Sequence, residues 1–210
     1  MEQHEEVTIA EYQATAAAFK SGTWDHDVSQ NREALEAVLP RNPGKILDLG
    51  CGPGRDLVYF KQQGHTVIGL DATPAFVEMA QQVSGCLVLN QSFLSLDLPK
   101  ETFDGIFANA SLIHVPQAEM VRVLRDLQVA LVPGGAIIMS MVRGDREGFV
   151  ARPTGYRYTA SWEYETLAPC VEQAGFEILR HYYRPPGLPC EAQSWLVLVA
   201  RKSAHPYPSF

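Results

Sequence analysis

The chain predicts an α/β fold: a doubly wound, seven-stranded, mostly parallel sheet with an antiparallel C-terminal hairpin and an N-terminal helical lid. Three observations predict it. From Lys45 onward, short apolar runs alternate with segments of helical period, the pattern of strand–helix–strand units whose sheet is covered on both faces. A glycine-rich turn, Gly50-Cys51-Gly52-Pro53-Gly54, joins the first run to the first of these helices. The last two runs are separated only by Arg184 to Gln193, too little chain for a crossover helix, so they pair antiparallel.

Each element has its own signal. Val7 to Phe19 is Ala-rich, with Ile9, Tyr12, Ala16 and Phe19 at helical spacing, and Ser21-Gly22-Thr23 breaks it. Asp27 or Ser29 caps a second helix toward Leu39, ended by Pro40 to Gly44. Ile46 to Leu49 is the first strand, and the helix after the glycine turn carries Leu57, Val58 and Phe60 and closes at Gly64. Thr66 to Leu70 is strand two. A helix from Pro74 or Ala75 places Phe76, Met79, Ala80 and Val83 on one face and ends at Gly85. Cys86 to Leu89 and Phe103 to Ala108 are strands three and four. Gln117 to Leu131 is a long helix stopped by Pro133-Gly134-Gly135, Ala136 to Met141 is strand five, and the residues after Arg143 form a long loop. Trp162 to Ala174 is the last main helix, and Phe176 to Tyr183 and Ser194 to Ala200 complete the sheet. Residues 1–210 are expected to form one domain, with 1–42 as its helical cap.

Composition narrows the class. Hydrophobic residues at 46% and charged residues at 20% are ordinary for a globular chain. Lys and Arg total 17 against 24 Asp and Glu, a net charge of -7, which argues against non-specific nucleic-acid binding. A local cluster such as Arg143, Arg146, Arg152 and Arg157 still suffices for one anionic group. Cys51, Cys86, Cys170 and Cys190 form no CxxC pair, so no metal is expected. The acidic start has no apolar core and no run is long enough to span a bilayer, so the expected location is cytoplasmic, without membrane contact, as a monomer or homodimer.

The glycine turn carries the chemistry. Glycines permit a tight turn and close approach of a ligand, and the following helix presents free N–H groups. A bare structural turn is the other reading. Asp71 discriminates between them, because it ends strand two, where a carboxylate accepts from both ribose hydroxyls of an adenosyl group. The GxGxG spacing differs from the pyrophosphate-type GxGxxG, and no Gly-Lys-Ser/Thr follows. Asp48 before the turn and Asp56 after it suit a cationic tail rather than phosphate. S-adenosylmethionine, with its ammonium and sulfonium, is the cofactor this predicts.

Here the chain resembles the class I S-adenosylmethionine-dependent methyltransferases. The matching stretches are Ile46 to Gly54, Gly69-Leu70-Asp71, Phe103-Asp104-Gly105-Ile106 and Leu131-Val132-Pro133-Gly134-Gly135, and the likeness covers Pro43 to about Lys202. It implies a Rossmann-like sheet in which Asp48, Gly50, Cys51, Gly52 and Gly54 position the methionine part. Asp71 and Ala72 would hold the ribose, and Ser92 and Phe93 would lie beside the adenine. Asn109, Ala110 and Ser111 would line the floor near the sulfonium. Many relatives have an acidic residue where this chain has Ser92.

A narrower resemblance rests on Asp27-Val28-Ser29-Gln30-Asn31, Phe103 to Ser111, His114-Val115-Pro116 and His181 to Pro189. These pieces are similar to the methyltransferase domain of ovothiol-synthesising proteins, and imply a small-molecule acceptor, 5-thiohistidine, methylated on an imidazole nitrogen. Methyl transfer is an in-line displacement, so alignment of the reactants supplies much of the rate gain. A neutral imidazole nitrogen needs no base; a hydroxyl or thiol would, with His114 or His26 as helper. His114, with Asn109, is the catalytic candidate, although a polar residue capping the next helix reads equally well. Tyr12, Trp24, His26 and Asn31 belong to the lid, where Trp24 can stack on a flat ring and Phe19 packs the lid down. Arg143, then Arg184, are candidates for a substrate carboxylate; Arg146, Arg152 and Arg157 also read as solvated loop residues. Tyr158, Tyr183 and Gln193 complete the candidate substrate contacts, and Tyr182 and Glu191 stand near them. A nicotinamide oxidoreductase lacks its loop spacing here. A nucleic-acid methyltransferase lacks its basic track, and the remaining alternative is a non-catalytic S-adenosylmethionine-binding protein.

Overall fold

The computed structural model describes residues 3–203. The N-terminal helices are α1 (Gln3–Thr23) and α2 (Ser29–Glu36). Then follow β1 (Lys45–Leu49), α3 (Arg55–Gln62), β2 (Thr66–Asp71), α4 (Pro74–Ser84), β3 (Leu87–Asn90), β4 (Phe103–Asn109), α5 (Met120–Ala130) and β5 (Leu131–Val142). The chain continues through β6 (Glu147–Arg152), β7 (Gly155–Ala160), α6 (Tyr164–Gln173), β8 (Phe176–Arg184) and β9 (Trp195–Lys202). Seven strands form one sheet in the order β3-β2-β1-β4-β5-β9-β8. The first five are parallel, and β9 runs antiparallel to both β5 and β8.

Strand alternation divides the core between two faces. Leu47, Leu49, Ile106, Ile137 and Met139 pack with α5 and α6 residues such as Leu124, Leu127 and Val171. Their neighbours Ile46, Phe107, Ile138 and Val199 pack with Leu35 of α2 and Leu57 and Phe60 of α3. Each such fully buried Leu, Ile or Phe contributes roughly 1.5–3 kcal/mol. The winding direction reverses between β1 and β4, and such a switch point opens a crevice beyond the strand C-termini.

Three expectations require correction. Residues 143–161, expected as a loop, contain the β6–β7 hairpin, whose first strand is mostly exposed and so carries no buried apolar face. The helix α1 runs through Ser21 and Gly22 to Thr23, because Gly22 adopts no positive φ and interrupts nothing. Pro133-Gly134-Gly135, expected as a gap between helix and strand, lies within β5, which starts at Leu131 opposite Phe103 and is irregular there.

Candidate active site

A cavity of about 850 Å³ lies over the glycine turn and the ends of β1, β2, β4 and β5, with α1 above it. That volume is in the upper part of the range for small-ligand sites, roughly 300–1,000 Å³. Ten of the predicted cofactor residues line it: Asp48, Gly50, Cys51, Gly52, Asp71, Ala72, Phe93, Asn109, Ala110 and Ser111. Gly54 and Ser92 do not. Gly54 faces α4, where a Cβ would meet the Ala80 Cα at 2.8 Å. Its absent side chain lets two helices approach.

The floor has the properties of a built ligand cradle. Gly50 has φ 73, and a Cβ there would stand 2.3 Å from the Ser111 Cβ. Both conditions require glycine. Ala110 also holds a positive φ of 58, strain of a kind that clusters at binding sites. Asp48 is 2% exposed, and its Oδ2 has no hydrogen-bond partner; Ser111 Oγ is likewise buried and unpaired. Burial, and then the charge of Asp56, push the Asp48 carboxyl well above its ordinary range, with Arg55 opposing. An unpaired buried acceptor costs about 1–3 kcal/mol unless a ligand donates to it. The ammonium of S-adenosylmethionine is such a donor.

Asp71 is positioned differently. Its Oδ2 accepts from the Gly52 amide at 2.9 Å and its Oδ1 from the Thr73 amide at 2.8 Å. Burial raises its pKa, and those two amides work against the rise. Each oxygen keeps a lone pair, which suits the two hydroxyls of a ribose. Asp56, expected beside the cationic tail, is instead committed: Arg32 Nε donates to its Oδ1 at 2.7 Å and Arg55 Nη2 to its Oδ2 at 2.7 Å. The Cys51 thiol is pushed well up by burial and stays protonated.

The roof is held by polar contacts between α1 and the β6–β7 hairpin. Thr8 Oγ1 accepts from the Tyr158 amide at 2.9 Å, and Glu11 accepts from Thr154 at 2.8 Å and from Arg157. Burial would raise the Glu11 carboxyl, but the Arg157 and Thr154 hydrogen bonds prevail and hold it low. The Arg157 guanidinium also lies 3.9 Å from the Tyr12 ring centroid. Tyr12, Phe19 and Phe76 form an aromatic cluster with centroids 5.3–5.5 Å apart. His114 joins the roof at the turn after β4. Its Nδ1 is 2.6 Å from the Tyr158 carbonyl and its Nε2 is 2.9 Å from the Tyr12 hydroxyl. A carbonyl only accepts, so Nδ1 carries the proton and Nε2 receives the tyrosine hydrogen. Burial lowers the His114 pKa to about 4, so the ring is neutral at pH 7.

The substrate-side candidates separate into two groups. Tyr12, His26, Asn109, His114 and Arg184 line the cavity. Trp24, Asn31, Arg143, Tyr158, Tyr183 and Gln193 do not, and each has another engagement. Trp24 lies beneath the Lys20 ammonium. Asn31 is buried, donating to Asn109 Oδ1 at 2.8 Å and accepting from the Tyr182 hydroxyl at 2.9 Å. Arg143 donates to Glu163 at 2.9 Å and to the Cys190 carbonyl at 2.5 Å, over the Tyr183 ring. The Tyr158 hydroxyl donates to Glu147, and Gln193 Nε2 to the Pro185 carbonyl at 3.0 Å. The carboxylate candidate named first, Arg143, is thus tied outside the cavity.

Several lining residues had no individual signal. Glu5 of α1 reaches the cavity and accepts from Ser92 Oγ. Arg152, Arg157 and Trp195 also line it. The arginines read equally well as solvated loop residues, and Trp195 as one apolar position of a strand. Among the described residues, no group of three His, Cys, Asp or Glu could hold a metal ion, and no helix is long and apolar enough to cross a membrane.

Comparison with known proteins agrees with this geometry. Residues 46–135 match the family described as Methyltransferase domain. An uncharacterized methyltransferase of Synechocystis sp. is 31% identical over 158 residues, covering 69% of this chain and 73% of that protein. A trans-aconitate 2-methyltransferase of Azoarcus sp. is 28% identical over 178 residues, 72% of this chain and 70% of the relative. An 18S rRNA (guanine-N(7))-methyltransferase of Schizosaccharomyces pombe is 29% identical over 121 residues, 52% of this chain; the match spans only 45% of that relative. In fold, the chain is similar to the Burkholderia thailandensis 1,6-didemethyltoxoflavin-N1-methyltransferase, solved with S-adenosylhomocysteine. The TM-score is 0.75 at 24% identity, over 97% of this chain and 92% of that one. With a seven-stranded sheet, an unpaired buried carboxylate beside a glycine turn and these sequence matches, the chain belongs to the class I S-adenosylmethionine-dependent methyltransferases.

Proposed function

We propose that the chain transfers the methyl group of S-adenosylmethionine to a small molecule whose nucleophilic atom needs no deprotonation by the protein. One observation carries this reading. The cavity is roofed by α1, and the imidazole at that roof already uses both nitrogens, on Tyr158 and Tyr12. Bound S-adenosylmethionine supplies an electrophilic methyl group on a sulfonium. Asp48 and the glycine turn would hold the methionine part and Asp71 the ribose, while Tyr12, Phe19 and Phe76 keep water away. His114 ties the lid helix to the β6–β7 hairpin instead of taking a proton. A neutral ring nitrogen or a preformed carboxylate fits such a site.

Two similar proteins have small-molecule acceptors in their names, trans-aconitate and 1,6-didemethyltoxoflavin; a third is named for rRNA. Within the small-molecule class, the resemblance of the N-terminal and C-terminal pieces favours the imidazole nitrogen of 5-thiohistidine. The test is labelled methyl transfer by purified protein to 5-thiohistidine, histidine, histamine, trans-aconitate, simple thiols and ribosomal RNA. Label in a small acceptor is expected. Label in RNA alone overturns the small-molecule reading, and label in another small acceptor with none in 5-thiohistidine overturns only the narrower acceptor.

A further inference from the structure

Asp48 and Asp71 stand at the glycine turn; elsewhere the cavity is lined by the guanidiniums of Arg152, Arg157 and Arg184 and by the carboxylates of Glu5 and Asp27. The three guanidiniums differ in what they already hold. Arg157 is neutralised by Glu11 and lies on Tyr12. Arg152 has no ion pair among the described residues, yet its charge reaches Glu11, Tyr12 and His114. Arg184, the last residue of β8, donates from Nη2 to the Asp27 carbonyl at 2.6 Å, and its Nε is buried with no hydrogen-bond partner. A neutral carbonyl gives that charge no ion pair, and the Asp27 carboxylate, which Arg184 helps to hold low, stands outside ion-pair distance. The nearby Asp27 carboxylate is exposed and takes the Ser29 amide at 2.9 Å. Opposite Arg184 in the β8–β9 ladder stands Trp195, which also lines the cavity. Residues directly opposite in an antiparallel pair share one face of the sheet.

We propose that Arg184, assisted by Arg152, binds a carboxylate of the methyl acceptor while Trp195 packs on its flat body, so that the substrate is a planar small-molecule carboxylate. This rests on the acceptor reading of the cavity given above. A guanidinium matches a carboxylate in plane and in spacing, and an indole face beside it suits an unsaturated ring or chain. The negative charge of such an acceptor would balance Arg184, a half-buried cation with no ion pair among the described residues. It would also orient the acceptor from a point away from Asp48, leaving the far end of the molecule free to meet the methyl group.

The test uses the full chain loaded with S-adenosylhomocysteine and titrated by calorimetry with 5-thiohistidine, imidazole-4-acetate and trans-aconitate, each against its carboxamide. At least one acid is expected to bind about ten-fold or more tightly than its amide, the scale of a charge-assisted hydrogen bond. R184Q should abolish that preference, R184K should keep part of it, and R152Q should reduce it by a smaller factor. S-adenosylhomocysteine affinity should stay within about two-fold in all three, since Asp48 and Asp71 are untouched. Equal binding of every acid and its amide, binding by none of the six, or a preference that survives in R184Q overturns the proposal. The wild-type acid–amide comparison decides alone if R184Q does not fold. Failure of the wild-type chain to bind S-adenosylhomocysteine would instead overturn the cofactor site, so the two failures are distinguishable.

Discussion

The Tyr12 hydroxyl and His114 Nε2 lie 2.9 Å apart, although 102 positions separate them in the chain. This contact joins the lid helix to the turn after β4, and the Tyr158 carbonyl at 2.6 Å joins the same ring to the β6–β7 hairpin. One imidazole therefore holds three pieces of the cavity wall together.

Removing the donor tests that role. Tyr12→Phe leaves His114 Nε2 unpaired at the cavity wall, and should lower stability by about 1–2 kcal/mol, measured by urea unfolding. Turnover should fall while the shape of the pH–rate profile between about pH 6 and 8 is kept, because in the proposed reading His114 takes no proton. A wild-type profile governed by an ionisation near the ordinary histidine value would contradict this.

The pH dependence of stability has a definite sign. The His114 pKa falls from 6.5 to about 4 on folding, with burial the main cause. The unfolded chain therefore binds more protons than the folded one between those values. The contribution is fully present above pH 6.5 and is lost as the pH falls toward 4. His114→Gln should flatten that part of the curve, read as the urea midpoint against pH. An equal slope in both proteins would show that other groups carry it.

Asp48→Asn separates function from stability. Losing the charged partner for the cofactor ammonium should weaken S-adenosylhomocysteine binding about ten- to hundred-fold, from roughly 1.5–3 kcal/mol for a hydrogen bond to a charged group. The folded chain should be as stable or more stable in thermal denaturation, since a buried carboxylate facing Asp56 is removed. Unchanged affinity in calorimetry would remove Asp48 from the binding site.

Two glycines distinguish space from backbone strain. Gly50 and Gly64 both have positive φ, 73 and 88, but only Gly50 has a neighbour where a Cβ would go. Gly64→Ala should cost about 1 kcal/mol and leave cofactor binding intact. Gly50→Ala should cost more than that and abolish cofactor binding, because Ser111 has to move. Similar costs in both proteins would show that the backbone term alone matters.

The central parallel strands β1 and β4 were legible because each is a short run buried on both faces, and the glycine turn because its positive φ values admit little else. Asp71 was legible by its position at a strand end. The β6–β7 hairpin was not, since β6 is largely exposed and presents no buried apolar face. The engagements of Asp56 with Arg32 and Arg55, and of Arg143 with Glu163, were equally invisible. A charge in a sequence does not say which opposite charge reaches it.

The sequence by itself determined the sheet, the order of its elements and the adenosyl-type turn, since these follow from local period, glycine conformation and short spacing. Only the tertiary structure decided which polar groups remain unpaired once folding is complete. Asp48 and Arg184 keep buried polar atoms without partners, whereas Asp56, Arg143 and His114 are satisfied. That distinction depends on distances between residues far apart in the chain, which no local pattern of residues specifies.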